Sequence, residues 1–229
     1  MKHVLLLAIM SAALLTNASG TFSIIEINPA HGTEQFSFTD SAKQFYGAGE
    51  ISSYTELNGK LYFVAQDAPG NYELWSTDGS TGGTSLVKEI NAAGSAGIGN
   101  IALAGNKLYF MATDNGTDFD LWVSDGTTGG TQKVEELNQP TNTALEKQNI
   151  APMGNRLVFC TQTQLMITDG TSAGTTSLQA ISTYSQGYGY CELNNKVYFI
   201  LPNFNGDHEL WRTDGTSAGT EMVTNISAS

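Results

Sequence analysis

The sequence predicts an all-β protein assembled from four like units, and three observations carry that prediction. A twelve-residue phrase recurs: ELWSTDGSTGGT at 73–84, DLWVSDGTTGGT at 120–131, QLMITDGTSAGT at 164–175 and ELWRTDGTSAGT at 209–220. Its aspartates, Asp78, Asp125, Asp169 and Asp214, lie 47, 44 and 45 residues apart, a period that belongs to stacked or circular arrays. Ahead of each phrase an apolar segment follows a dipeptide that tolerates positive φ, and no stretch past the N-terminal region keeps a helical period.

The chain opens as an export signal does. Met1-Lys2-His3 is a short basic start, VLLLAIMSAALL is an apolar run of twelve, and TNASG offers small residues for cleavage, so residues 1–20 read as a signal peptide. Twelve apolar residues fall short of a membrane span, and no other stretch is long enough for one. The mature chain, 21–229, is expected to form a single repeat domain. Its first segment, FSIIEIN (22–28), matches SLVKEIN (85–91) and reads as an extra strand of the fourth-strand type. The polar stretch 29–50 leaves room for a further hairpin. Four units follow, at about 51–91, 98–138, 147–182 and 187–227.

Each unit resolves into four strands. The dipeptides Asn58-Gly59, Gly105-Asn106, Gly154-Asn155 and Asn194-Asn195 are expected to take positive φ at both positions and to join strands one and two. A Gly/Asp/Asn-rich loop (QDAPGN, TDNGTD, NFNGDH, shortened to TQTQ in the third unit) leads to strand three. The DGT phrase then returns the chain into strand four. The second strand, LYFVA, is apolar on both faces, as a strand covered on each side by a neighbouring sheet requires. Four antiparallel strands in roughly 45 residues fit a β-propeller blade. Four such units, with the extra N-terminal strand, predict a four-bladed or irregular five-bladed propeller.

The repeated phrase reads as a joint. An Asp in a tight turn accepts hydrogen bonds from backbone N–H groups just after it. The following Gly79, Gly126, Gly170 and Gly215 can take positive φ, and Gly83, Gly130, Gly174 and Gly219 are expected to do so where the chain re-enters the sheet. The Thr residues satisfy further local groups. Trp75, Trp122 and Trp211 read as wedges between blades. In the third unit Gln164-Leu165-Met166 replaces the acidic-Leu-Trp triplet, and that blade is expected to pack less tightly.

With LYF ahead of the phrase and LVKEIN behind it, the chain resembles the ELWxxDGT repeat family of exported bacterial proteins, some of them labelled hyalin-like. The resemblance covers about residues 22–227 and implies a secreted or surface protein built from a propeller-type module. It implies no activity and no catalytic residues.

Charge narrows the partners. The formal net charge is −12, with ten Lys and Arg spread singly among 22 Asp and Glu, which weighs against anionic lipid and sets nucleic acid aside as a partner. Asp114, Asp118 and Asp120 surround a Gly and form a weak calcium candidate, although the spacing is not that of an EF-hand loop. No cofactor is otherwise expected. Cys160 and Cys191 either close a disulfide or act as small buried hydrophobes, and the reading leans to the second.

No nucleophile elbow, zinc-binding helix motif or phosphate loop occurs, so catalytic residues are not assigned. Tyr184, Tyr188 and Tyr190, spaced by Gly, Ser and Gln, offer amphipathic rings for a protein or glycan ligand, or else inter-blade packing. The expectation is an exported, non-catalytic binding or adhesion protein. The rivals are a structural segment of a larger surface assembly that self-associates through spare edge strands, and a propeller hydrolase or lyase.

Overall fold

The computed structural model describes residues 54–140, 150–181, 188–203 and 205–226. The signal segment, the strand at 22–28, the stretch 29–50 and Tyr184 lie outside the described residues. Within them the chain is strands and turns, with no helix.

Four sheets follow one another along the chain. The first holds β1 (Tyr54–Leu57), β2 (Lys60–Ala68), β3 (Asn71–Thr77) and β4 (Ser85–Lys88). The second holds β5 (Ala102–Ala104), β6 (Lys107–Ala112), β7 (Asp118–Ser124) and β8 (Gln132–Pro140). The third comprises β9 (Ile150–Met153), β10 (Arg156–Cys160), β11 (Gln164–Thr168) and β12 (Thr176–Ala180). The fourth comprises β13 (Tyr188–Leu193), β14 (Lys196–Pro202), β15 (His208–Thr213) and β16 (Glu221–Asn225). Every sheet is an antiparallel meander with its strands in chain order. The first strands lie side by side from sheet to sheet: β1 against β5, β5 against β9 and β9 against β13.

The hairpin turns explain the register. Asn58 and Gly59 have φ of 53° and 74°, and Asn194 and Asn195 have 53° and 59°, the two positive values of a type I′ turn. In the other two sheets only the first residue is positive, Gly105 at 58° and Gly154 at 59°, the pattern of a type II′ turn. The expectation of two positive values is thus corrected for Asn106 and Asn155. Both primed turns match the strand twist, so each pairs the strands tightly, as in Leu57 opposite Lys60 and Met153 opposite Arg156.

Alternation along the second strand builds the core. Leu108, Phe110 and Ala112 of β6 face the first sheet, meeting Tyr62, Val64, Leu74 and Val87. Tyr109 and Met111 of the same strand face the third sheet, where Leu157 and Phe159 meet them. Val158 and Cys160 in turn meet Val197, Phe199 and Leu201 of β14. Both sides of β6 and β10 are therefore dry, which is why their sequences do not alternate with polar residues. Trp122 is buried between the first two sheets with Lys88 Nζ 6.0 Å from its ring centre, and Trp211 packs between the last two.

The third sheet is not looser than the others, contrary to expectation. Leu157, Val158, Phe159 and Leu165 are fully buried, and Met166 packs toward the second sheet in the place of a tryptophan. Its shortened loop closes with a hydrogen bond from Thr161 N–H to Gln164 O at 2.8 Å.

Candidate functional site

The repeated phrases all lie at one end of the sheets, joining third to fourth strands, and their side chains are spent on local structure. Asp125 Oδ1 accepts the Thr127 N–H at 2.9 Å and the Thr127 hydroxyl at 2.7 Å. Asp78 does the same with Ser80, Asp169 with Thr171 and Asp214 with Thr216. The hydroxyl bonds, followed by the N–H bonds, hold all four carboxyls below their ordinary value of 3.8. The residue before each Asp also matters. Thr77, Ser124, Thr168 and Thr213 each accept the N–H of the first glycine, at 2.9–3.1 Å, and bond a second hydroxyl, of Thr84, Thr131, Thr175 and Thr220. The signal was visible in the sequence as an unbroken Thr/Ser at that position.

The two glycines serve different ends. Gly79, Gly126, Gly170 and Gly215 have φ between 84° and 91°, as expected. Gly83, Gly130, Gly174 and Gly219 do not have positive φ. That expectation is corrected: a β-carbon on any of them would collide with the Asp carboxylate of its own turn. The second glycine makes room for the aspartate.

These turns also bind each sheet to the one before it. The Tyr62 hydroxyl sits against Gly126, the Tyr109 hydroxyl against Gly170, and the Arg156 guanidinium against Gly215. Burial, and then the charge of Asp169, push the Tyr109 phenol up to about 12. Thr128 Oγ1 donates to Val87 O at 2.7 Å, Ser172 Oγ to Glu135 Oε2 at 2.8 Å and Ser217 Oγ to Ser177 O at 3.4 Å. Lys88 Nζ donates to Thr131 O at 2.8 Å, Lys107 Nζ to Asp169 O at 2.9 Å and Arg156 Nη1 to Gly215 O at 3.4 Å. Each of these six Thr, Ser, Lys and Arg donors meets a main-chain or side-chain acceptor across the seam, whereas the buried Tyr109 hydroxyl makes no hydrogen bond there.

The acidic residue that opens the phrase is a clamp that sequence reasoning missed. Glu73 is fully buried and its carboxylate accepts Ile90 N–H at 2.8 Å and Asn91 N–H at 3.1 Å. Asp120, equally buried, accepts Leu137 N–H at 2.7 Å. Glu73 fixes the chain as it leaves β4, whereas Asp120 fixes it within β8, where the register with β7 shifts. Glu209 instead takes the Trp211 indole N–H at 2.9 Å, and Gln164 is exposed.

The calcium candidate resolves differently. Lys133 Nζ lies 3.0 Å from Asp114, 2.7 Å from Asp120 and 3.1 Å from Glu136, occupying the space between the carboxylates. Burial works to lower the Lys133 pKa, but its bonds to Asp120, Asp114 and Glu136 together outweigh this and raise it. Asp118 turns away and accepts Asn115 Nδ2 at 2.7 Å. Among the described residues no group of three or more His, Cys, Asp or Glu is arranged for a metal.

The loops between second and third strands lie at the opposite end of the sheets, and they differ from one another. Asn115 Oδ1 organises one by accepting Thr117 N–H at 2.8 Å, and Asn203 Oδ1 another by accepting Asn205 N–H at 2.9 Å and Asp207 N–H at 3.0 Å. Between the first two sheets the connection crosses this end: Ala96 N–H donates to Tyr72 O at 3.0 Å and Thr113 N–H to Ala96 O at 2.8 Å. Of the three tyrosines singled out, Tyr188 begins β13 and its side chain is outside the description. Tyr190 points inward, its ring 5.7 Å from that of Phe199 and its hydroxyl 3.3 Å from Cys160 Sγ, and burial holds that hydroxyl well above the phenol range. It belongs to the core between the third and fourth sheets. Both cysteines are free, Cys160 buried and Cys191 exposed, so the hydrophobe reading fails for Cys191.

No protein-family model and no curated protein matches the chain. Solved structures do. Puromycin hydrolase matches at 16% identity with a TM-score of 0.51, over 73% of this chain and 27% of that one. BamB from Moraxella catarrhalis matches at 14% identity and a TM-score of 0.44, over 71% of this chain and 44% of that one. An α-L-arabinofuranosidase from Clostridium thermocellum matches at 18% identity and a TM-score of 0.38, over 81% of this chain and 74% of that one. The chain spans about a quarter of the hydrolase and under half of BamB. The likeness to puromycin hydrolase and the four meanders show the fold, a β-propeller in which each sheet is one blade. Among the described residues no helix is long and apolar enough to cross a membrane.

Proposed function

We propose that this is an exported, non-catalytic binding protein that recognises a protein or glycan through the loops between second and third strands. The observation that carries the reading is the division of labour between the two ends of the blades. At the turn end the repeated Asp, Thr and Gly residues are engaged in capping and in seams between blades. The opposite end carries loops of different length and chemistry on the same frame, the arrangement in which recognition is usually found. The basic start and apolar run of residues 1–20 support export.

The test is a glycan array and a screen of envelope proteins with the full chain, followed by substitutions at each end. Binding that falls when Asn205 and Asp207 are replaced, and survives Ser80→Ala at the turn end, supports the reading. Turnover of a glycan or peptide by the purified chain, or binding that depends on Ser80, overturns it.

A further inference from the structure

Each blade turns one face toward the blade that follows it, and the same five positions build that face. In the first they are Leu57, Tyr62, Val64, Leu74 and Val87, and all are buried against the second blade. In the third they are Met153, Val158, Cys160, Leu165 and Leu178, all buried against the fourth. The strand register places Leu193, Tyr198, Ile200, Leu210 and Val223 at these positions in the fourth blade. There Leu193 is 55% and Val223 45% exposed, and the other three are only half-buried. A face with the composition of a core is open.

The opposite end of the row offers no mate for it. The first blade turns Leu61, Phe63 and Ala65 away from the second, and Phe63 is 0% and Ala65 7% exposed. Among the described residues this is the one blade face of core composition left open, and two copies can bury it by setting like face on like face about a twofold axis. We propose that this face of the fourth blade is a self-association surface, occupied by the same face of a second copy of the chain. Its charges suit that pairing. Arg212 and Glu221 stand side by side on it, 2.6 Å apart and both partly exposed, so a twofold axis can present each to its opposite number. Lys196 and Arg212, two of only ten cations in the chain, also offset the repulsion between copies that each carry −12. The association is face to face, distinct from pairing along strand edges.

Cys191 reports on it. It is exposed, pairs with Tyr198 and so shares the open face, while Cys160 is buried. Sedimentation equilibrium of the full chain is expected to give twice the chain mass at micromolar concentration, with Cys191 protected from maleimide. Leu193→Glu with Val223→Glu replaces two exposed side chains, so the unfolding midpoint should hold while the mass halves and Cys191 becomes reactive. Met222→Glu serves as control: Met222 pairs with Trp211, on the other face of the sheet, and its substitution leaves the dimer. A monomer with freely reactive Cys191, a mass that grows without limit as in head-to-tail stacking, or a dimer that survives both substitutions overturns the proposal.

Discussion

The hydroxyl of Tyr62, on the second strand of the first blade, fills the space that a β-carbon on Gly126 of the second blade would need. At Gly79, the equivalent glycine of the first blade, no atom lies within 4 Å of that position. Both have positive φ, 91° and 85°. Gly79→Ala should therefore cost only the left-handed backbone strain, about 1–2 kcal/mol. Gly126→Ala adds the collision with Tyr62 and should cost about 2–4 kcal/mol. Urea unfolding of the two variants measures the difference, and equal losses would deny the seam its role.

Glu73 should be worth more than its exposure-matched neighbours suggest. Removing a buried carboxylate strands the N–H groups of Ile90 and Asn91, so Glu73→Ala is expected to lose about 2–4 kcal/mol. Gln164→Glu, which restores the acidic residue where the third blade lacks it, lies on the surface and should shift stability by less than about 0.5 kcal/mol. Denaturant midpoints at constant slope would check both.

Acid should weaken the turns from a definite pH downward. Asp78, Asp125, Asp169 and Asp214 all have folded pKa values depressed below 3.8 by their hydroxyl and N–H donors. The unfolded chain takes up protons first as pH falls, so the folded state's advantage is complete above the ordinary value and disappears as pH drops through the lower folded one. Stability from these turns is thus level at neutral pH and declines below about pH 4. Replacing all four by Asn should flatten that part of the urea-midpoint profile, and an unchanged slope would show that other carboxyls carry the acid response.

Calcium should leave the protein indifferent. The ammonium of Lys133 already bridges the Asp114, Asp120 and Glu136 carboxylates and fills the position a cation would take between them. Thermal midpoints in calcium and in chelator are expected to coincide. Lys133→Met leaves buried Asp120 without its counter-charge and should cost about 3 kcal/mol. A midpoint that rises with calcium in the unaltered chain would contradict this account.

The strands and hairpins were legible because Asn-Gly at 58–59 and Asn-Asn at 194–195 encode backbone angles directly, and the DGT phrase encodes its own hydrogen bonds. Positions whose role depends on a neighbour were not. Gly130 looks like another flexible hinge until the Asp125 carboxylate is seen lying over it. Glu73 looks like an ordinary surface acid, since nothing in its flanks reveals that the chain beyond β4 folds back upon it. Tyr190 has the surroundings of a recognition loop, yet its pairing to Phe199 draws it inside. The apolar pattern of the fourth blade announced a buried face, and only the exposure of Leu193 and Val223 shows that this face is open.

The seams do not use one key. Tyr62 meets Gly126 and Tyr109 meets Gly170, but the third blade has Val158 at that position and sends Arg156 to Gly215 instead. Units that look interchangeable in sequence are therefore addressed to particular neighbours. A gene in which the third unit were moved ahead of the second would place a valine where the glycine awaits a phenol, leaving a void at one seam and an uninvited ring at another. The order of the repeats is recorded twice, once in the covalent chain and once in the fit of each blade to the next, and that second record would resist shuffling by recombination.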